Sequence, residues 1–295
     1  MKKVCIVSLI GRPNVGKSTI LNTLLNYDLS IVSKIAQTTR DQIRGIYNDD
    51  DYQLIFIDTP GIHKAEHLIS EKLNSKSYAS FNEADLLLFV TPANEEIGKG
   101  DKFIIDKINN EKITNKIAII SKIDLENNME KLGQKAMQLK DLGFNKILGV
   151  GKTYTNTYND LINEIKKFAY DSEPLYDEDQ LSDSSLRFMA KEIIRESAIK
   201  NLYEELPHSI AVEIDEFREP KNENGTCVIN ATIYVKKESQ KAIVVGKGGS
   251  LIKKISMISR KKMEELFGNK IYLAIRVKLN ENWVDNENKI TKLGY

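Results

Sequence analysis

Gly11-Arg12-Pro13-Asn14-Val15-Gly16-Lys17-Ser18 decides the fold of the N-terminal half, because it fits the phosphate-binding pattern G-x-x-x-x-G-K-[ST]. A strand-like run, Val4 to Leu9, precedes it, and a helix-compatible stretch, Thr19 to Leu25, follows it. The glycines let backbone N–H groups point at a polyphosphate, the lysine places a charge on the outer phosphates, and the serine hydroxyl can ligate Mg2+. The sequence therefore predicts an α/β domain with a nucleotide at the end of its first strand. The residues of this segment expected to contact the nucleotide are Gly11, Asn14, Gly16, Lys17, Ser18 and Thr19.

A second motif, Asp58-Thr59-Pro60-Gly61, follows the apolar run Leu54 to Ile57. Open α/β sheets collect ligand groups at the carboxyl ends of their strands, so Asp58 is expected to reach Mg2+ through a water molecule. The backbone N–H of Gly61 is expected to sense a γ-phosphate, because glycine lets the following loop approach closely. Together the two motifs predict a nucleotide-dependent switch.

A third apolar strand ends in Ser121-Lys122-Ile123-Asp124, which resembles the Asn-Lys-x-Asp element with which GTPases read guanine. Asp124 is expected to accept two hydrogen bonds from guanine, each worth about 1.5 to 3 kcal/mol, whereas the bond lost at position 121 costs about 0.5 to 1.5 kcal/mol. Guanine selectivity should survive, with weaker affinity and a weaker tether to the phosphate loop. The next strand leads to Gly151-Lys152, whose backbone N–H is expected to reach the guanine O6. The predicted guanine-reading residues are Lys122, Asp124, Gly151 and Lys152.

The polar loop Gln37-Thr38-Thr39-Arg40 is long enough to cover the nucleotide. We expect one of its threonines to complete the Mg2+ shell when GTP is bound, and Thr39 is favoured over Thr38. The predicted metal ligands are therefore Ser18, Thr39 and, through water, Asp58.

Ile62 follows Gly61 at the position where many GTPases carry the glutamine that orients the attacking water. No substitute base is evident nearby, so intrinsic hydrolysis is expected to be slow, about 10^-4 per second. An external activator or an ion is therefore implied, and Asn14 is a candidate to hold K+ at the β- and γ-phosphates. The groups expected to act in catalysis are Lys17, Thr39 and Gly61.

The length of 295 residues allows two domains with cores of their own, and 29% charged with 41% hydrophobic residues is typical of a soluble protein. Residues 171–186 contain six acidic residues and no basic one, which predicts a solvated linker. Cys5 and Cys227 lack paired spacing and are expected to be buried thiols of a reducing cytosol. We predict a GTPase domain over 1–172 with a mostly parallel six-stranded sheet between helices, an acidic linker over 173–184, and a second domain over 185–295.

Residues 236–280 carry twelve Lys and Arg against three Glu, a net charge of +9 that favours binding to phosphates. Gly246-Lys247-Gly248-Gly249 lies at the centre of this segment, between two helix-like stretches. In KH domains such a G-x-x-G turn clamps single-stranded RNA, because phosphates can reach backbone N–H groups at a helix N-terminus. The predicted order α-β-β-α-α-β over residues 185–295 is that of the α+β type II KH fold. The predicted RNA contacts are Gly246, Lys247, Gly248, Gly249, Lys253 and Lys254.

A GTPase domain with these motifs, joined by an acidic linker to a KH domain, resembles the Era family of bacterial ribosome-assembly GTPases over essentially the whole chain. Supporting stretches are Gln37 to Arg40, Glu205 to Ser209 and Trp283 to Tyr295. The resemblance implies GTP or GDP with Mg2+ as ligands, the 3′ end region of small-subunit ribosomal RNA as partner, and a part in late maturation of the small ribosomal subunit. It also allows peripheral attachment of a cytoplasmic protein to the inner membrane. A monomer is expected.

Alternatives stay open at this point. The departures at Ser121 and Gly151-Lys152 allow an RNA-binding scaffold with impaired nucleotide binding. A P-loop ATPase is disfavoured by Asp124. A related GTPase of tRNA modification or membrane transport would differ in whether its G-x-x-G turn binds ribosomal RNA.

Overall fold

The computed structural model describes residues 1–32, 38–65, 67–203, 206–220, 222 and 225–295. Gln37 and Glu205, which belong to the motifs above, lie outside these described residues. The chain forms two compact units, and the main body of the first ends at Asp183 while the second begins at Ser184. Within the described ranges, no helix is long and apolar enough to cross a membrane.

A seven-stranded sheet forms the centre of the first unit. Its strands are β1 (Lys2–Ile10), β2 (Ile43–Asn48), β3 (Tyr52–Asp58), β4 (Leu86–Pro92), β5 (Lys116–Ser121), β6 (Ile147–Gly149) and β7 (Tyr170–Ser172). Six strands follow the order β2-β3-β1-β4-β5-β6, all parallel except the β2–β3 hairpin. This confirms the predicted mostly parallel sheet. The three-residue β7, antiparallel to the start of β1, is an addition that its short, largely exposed sequence did not signal.

Among the residues that the structure describes, five α-helices lie wholly or mainly in the first unit: α1 (Lys17–Leu25), α2 (Leu68–Glu83), α3 (Lys99–Asn110), α4 (Met129–Asp141) and α5 (Asn156–Ile165). One hydrophobic core includes side chains of α1 and α5, and another includes side chains of α3 and α4. The central strands are buried on both faces, which is why they read as continuous apolar runs rather than alternating ones. The carboxyl ends of β1, β3 and β5 therefore carry the three nucleotide motifs on one edge of the sheet.

Residues 178–183 of the predicted linker lie along the outer strand β2. The Ile46 N–H donates to the Leu181 carbonyl at 2.9 Å, and Ser182 Oγ donates to the Arg44 carbonyl at 2.6 Å. Most side chains of the segment are exposed, as expected for a solvated linker. The segment is nevertheless held to the sheet, because an edge strand offers unpaired backbone groups.

The second unit contains a three-stranded sheet of order β10-β9-β8, formed by β8 (Ala211–Arg218), β9 (Thr226–Val235) and β10 (Lys270–Leu279). Its helices are α6 (Leu186–Asn201), α7 (Leu206–Ser209), α8 (Glu238–Val245), α9 (Ser250–Phe267) and α10 (Glu287–Lys292). Strand β9 is antiparallel to β8 and parallel to β10, and α6, α8 and α9 contribute to one core with the sheet. This is the predicted type II KH arrangement, extended by the single turn α7 and by α10.

The segment after β10, predicted as a short tail, packs against the second unit. Trp283 is wholly buried, and its Nε1 donates to the Ser209 carbonyl at 3.1 Å. The ring of Tyr295 lies 6.0 Å from that of Trp283. Lys191 Nζ lies 4.2 Å from the Tyr295 ring centroid and donates to the Leu293 carbonyl. The last residues are therefore structural.

Candidate functional site

The loop between β1 and α1 is wound closely enough to surround a phosphate. A Cβ on Gly11 would lie 2.5 Å from the carbonyl oxygen of Val90, so a larger residue does not fit there. Gly16 caps α1 with φ +106°, a left-handed conformation that glycine adopts without strain. The N–H groups of the first turn of α1, where Thr19 lies, are thereby presented at the helix N-terminus, which favours an anion.

Lys17, the first residue of α1, is only 6% exposed. Its Nζ donates to the carbonyl oxygens of Gly11 at 3.1 Å and Arg12 at 3.0 Å. Burial lowers the pKa of Lys17 to about 8, and the charge of Asp58 opposes this shift. A polyphosphate at the loop would favour the charged amine further.

Three oxygen-bearing side chains converge beside Lys17. Ser18 Oγ donates to Asp58 Oδ2 at 2.6 Å and lies 3.0 Å from Thr39 Oγ1. Thr39 Oγ1 donates to the same carboxylate oxygen at 3.4 Å. The structure thus brings the three predicted metal ligands together, and the threonine in this cluster is Thr39.

The cluster fits a Mg2+ ion. Asp58 is wholly buried, and within the described residues its Oδ1 has no hydrogen-bond partner. Burial raises the pKa of Asp58, and the charge of Lys17 with the surrounding hydroxyl groups opposes the shift. A bound cation would stabilise the carboxylate and satisfy the unpaired oxygen. Hydroxyl and carboxylate oxygens are also the ligands that Mg2+ prefers.

Gly61 packs directly against the phosphate loop, because a Cβ there would lie 2.4 Å from the backbone nitrogen of Pro13. The N–H of Ile62 donates to the Gly11 carbonyl at 3.1 Å, and the Ile62 side chain is wholly buried in a hydrophobic core. Position 62 therefore supplies no group that could orient a water molecule. This agrees with the slow hydrolysis expected from the sequence.

The guanine-reading loop after β5 is held to the phosphate loop by two side chains. Ser121 Oγ donates to the Val15 carbonyl, and Lys122 Nζ donates to the Asn14 carbonyl at 2.8 Å. The sequence predicted a weaker tether with serine at this position, yet the Ser121 hydroxyl reaches the phosphate loop. The reduced nucleotide affinity stays a prediction.

Asp124 lies in a single 3-10 turn, Ile123–Leu125, beside the loop between β6 and α5. Its Oδ1 accepts a hydrogen bond from the Lys152 N–H at 3.1 Å. A Cβ on Gly151 would lie 3.0 Å from the same oxygen, so glycine lets the two loops approach. The two predicted guanine-reading elements are therefore adjacent.

In the second unit, the turn Gly246–Gly249 connects α8 to α9. Gly246 has φ +74°, and a Cβ there would lie 2.8 Å from the Cβ of Leu251, so its packing requires glycine. Gly248 and Gly249 also have positive φ, but a Cβ on either would meet nothing within 4 Å. The backbone at the start of α9 is therefore open to a ligand.

Exposed cations lie in this turn and along α9. They are Lys247, Lys253, Lys254, Arg260 and Lys261. Met257 and Ile258 are exposed among them, by 57% and 41%. Lys262 is different, because its Nζ donates to Glu196 at 2.7 Å and links α9 to α6. Of the predicted RNA contacts, four thus form the turn and two, Lys253 and Lys254, lie near the start of α9.

The sequence alone assigned no role to Arg12 of the phosphate loop. Arg12 forms ion pairs with Glu95 and Asp101, which are far along the chain and belong to no recognised motif. No spacing in the sequence signals this cluster, because only the tertiary fold brings the three residues together.

The fold and the two sites define a P-loop GTPase joined to a type II KH domain. Family models agree: residues 6–122 match one described as 50S ribosome-binding GTPase, and residues 205–284 match one described as KH domain. The chain is 50% identical over 293 residues to GTPase Era of Mycoplasmopsis agalactiae, with 99% of each chain covered. It is 54% identical over 291 residues to GTPase Era of Mycoplasmopsis pulmonis, with 98% of each covered. The chain belongs to the Era family of GTPases, as its sequence predicted.

Solved structures of Era have the same fold over the whole chain. One is Era in complex with MgGDPNP and nucleotides 1506–1542 of 16S ribosomal RNA, with a TM-score of 0.95 at 32% identity, covering 100% of this chain and 99% of that one. Another is an Era variant from Aquifex aeolicus bound to GDP and AlF4−, with a TM-score of 0.94 at 33% identity, covering 99% of each chain.

Proposed function

We propose that this protein is a Mg2+-dependent GTP switch that hydrolyses GTP slowly, binds the 3′ end region of small-subunit ribosomal RNA through its KH unit, and assists assembly of the small ribosomal subunit. The observation that carries the proposal is the convergence of Ser18, Thr39 and Asp58 beside Lys17, in a chain that also presents an open G-x-x-G turn. The related Era solved with MgGDPNP and a 16S ribosomal RNA fragment supports it over the whole chain length.

In the nucleotide site, Lys17 and the N–H groups at the start of α1 hold the outer phosphates. Ser18 and Thr39 would ligate Mg2+ directly and Asp58 through water; the ion, when bound, neutralises part of the charge on the β- and γ-phosphates. Thr39 and Gly61 lie on two different loops, so a triphosphate and a diphosphate favour different arrangements of those loops.

In the KH unit, the N–H groups at the start of α9 bind backbone phosphates of a single strand. Gly248 and Gly249 admit the strand because no side chain covers them. Lys253 and Lys254 add electrostatic attraction that carries no sequence information.

Two titrations test this function in one preparation of the full chain. Calorimetry with GDP, GTP and ATP in Mg2+ should give micromolar guanine-nucleotide binding and no ATP binding. Filter binding should show preference for an RNA of the 3′ end region over a scrambled RNA of equal length. RNA binding without nucleotide binding would replace the switch with an RNA-binding scaffold, and nucleotide binding without the RNA preference would favour a GTPase of another pathway.

A monovalent cation is a further part of the proposal. Asn14 stands in the phosphate loop with φ +61°, and its carbonyl accepts a hydrogen bond from Lys122 of the guanine-reading loop. A K+ ion held there would lie near the β- and γ-phosphates and add positive charge in the transition state. Equal hydrolysis rates in K+ and Na+ would contradict this role.

We further propose a cytoplasmic, monomeric protein that attaches peripherally to the inner membrane. The exposed cations of α9, with Met257 and Ile258 among them, support attraction to anionic headgroups. Flotation with vesicles containing anionic lipid, compared with neutral vesicles, tests the attachment. Sedimentation equilibrium tests the monomer.

A further inference from the structure

Arg12 is the second residue of the phosphate loop, yet its side chain is occupied by two carboxylates. Its Nη2 donates to Glu95 Oε2 at 2.8 Å, and its Nε lies 2.9 Å from Asp101 Oδ2. The Asp101 side chain is wholly buried, whereas that of Glu95 is 47% exposed. One positive charge therefore faces two negative ones, so the charge of Arg12 is offset within this cluster rather than directed at the nucleotide site.

The carboxylate of Asp101 belongs to a rigid element. It lies in the first turn of α3, and its Oδ2 accepts a hydrogen bond from the Gly98 N–H at 3.0 Å, which caps the helix. Gly100 leaves room for the arginine, because a Cβ there would lie 2.8 Å from Arg12 Cδ. The buried end of the ion pair is thus fixed by the start of α3.

The second carboxylate is fixed through its backbone. Lys135 of α4 is 6% exposed, and its Nζ donates to the carbonyl oxygens of Pro92 and Glu95 at 2.6 Å each. The loop that follows β4 is therefore anchored to α4 on one side. The Glu95 side chain of the same loop forms the ion pair with Arg12.

The backbone of Arg12 faces the reacting groups. Its carbonyl and that of Gly11 are the acceptors for Lys17 Nζ, and the Gly11 carbonyl also accepts from the N–H of Ile62, directly after Gly61. We propose that Arg12 is a positioning residue for GTP hydrolysis, which fixes these carbonyl oxygens, and through them Lys17, by its ion pairs to α3 and the loop after β4. The inference rests on the proposed GTPase activity.

An arginine in a phosphate loop also suggests the opposite role, an internal finger that swings onto the phosphates and stabilises the transition state. The two roles differ in what release of the side chain does. If Arg12 positions Lys17, neutralising Asp101 or Glu95 loosens the loop and lowers the rate. If Arg12 is a finger, the same changes free it and raise the rate.

The experiment measures kcat and KM for GTP by phosphate release, with the melting temperature, for the wild type and for Arg12→Gln, Arg12→Lys, Asp101→Asn and Glu95→Gln. A displacement of about 1 Å at a catalytic group can cost on the order of 100-fold, so we expect kcat of Arg12→Gln to fall on the order of 10-fold. The kcat of Asp101→Asn should fall nearly as far, and that of Glu95→Gln should fall less. The Arg12→Lys variant should retain part of the wild-type kcat.

Arg44→Gln is the matched control. Arg44 is similarly exposed and pairs with two carboxylates, Glu83 and Asp183, in the same unit, but it has no contact with the phosphate loop. The Arg44→Gln variant should have a lower melting temperature than the wild type and an unchanged kcat. An unchanged rate in Arg12→Gln, a rise in either carboxylate variant, or an equal fall in Arg44→Gln would each overturn the inference. Absence of hydrolysis by the wild type would instead overturn the proposed function together with it.

Discussion

The phosphate loop of the first unit and the G-x-x-G turn of the second both use glycine at a helix N-terminus, but they treat charge in opposite ways. Around the phosphate loop the charged side chains are buried and bonded, as Lys17 and Asp58 show. Around Gly248 the cations are exposed and the turn itself is open. The first site can therefore depend on fixed distances to a defined ligand, whereas the second depends on attraction to a flexible strand.

The largest expected effect comes from Lys17→Ala, which removes the buried charge of the first site. Loss of one preorganised donor to transition-state charge costs about 10^2- to 10^3-fold in rate, and Lys17 contributes a full charge. Phosphate release should therefore fall at least that far, while binding to the 3′ end RNA is unchanged. Undiminished phosphate release would show that the site assignment is wrong.

Gly248→Asp tests the open turn of the second site. The substitution places negative charge where a phosphate must approach, and loss of a hydrogen bond to that charged group costs about 1.5 to 3 kcal/mol of RNA binding. Gly268→Asp is the matched control, because Gly268 has a similar positive φ of +68° and equal free space at its Cβ, yet lies at the other end of α9. If both variants bind RNA equally, the groove lies elsewhere.

Glu196→Gln tests a buried charge of the second unit whose role is structural. Glu196 accepts hydrogen bonds from Lys200 and Lys262 at 2.6 and 2.7 Å. Burial raises the pKa of this carboxyl, the two lysines lower it, and the balance is a lowered pKa. Its stabilisation is therefore present above the unfolded pKa, near 4.3, and is lost as the pH falls through the folded pKa.

For this variant we expect a free energy of unfolding of the second unit that is about 1 to 3 kcal/mol lower at pH 7. The difference from wild type should shrink as the pH approaches 3. Urea unfolding of both proteins at pH 7 and at pH 3 measures this difference in the free energy of unfolding. A difference that is independent of pH would mean that the carboxylate charge is not what stabilises α6 against α9.

The smallest effect is expected for Lys253→Gln. Each phosphate contact with a single strand contributes about −0.7 to the slope of log K against log salt, so the slope should become less steep by about that amount, with a loss of affinity of only a few-fold. GDP binding should keep its salt dependence. An unchanged slope would exclude a phosphate contact for Lys253.

The sequence predicts those features of the structure that depend on short motifs, and it does not predict contacts between residues far apart in the chain. Lys17, Asp58 and Gly248 stand in short motifs whose residue types are required by backbone geometry or by ligand chemistry, so their positions could be inferred. The pairing of residues 178–183 with β2 could not, because that edge strand lies more than 120 residues earlier in the chain. The contacts of Arg12 with Asp101 and of Ser121 with Val15 could not be predicted either, because no local sequence pattern indicates them.

The burial of Trp283 beside Tyr295 has a consequence for biosynthesis. Domains generally fold in order of their emergence from the ribosome. The first unit has its whole sheet once Ser172 has emerged, but in the second unit Trp283 has its contact with Tyr295 only after residue 295 has emerged. During translation a nucleotide-binding unit can therefore be complete while its RNA-binding neighbour is still an open nascent chain.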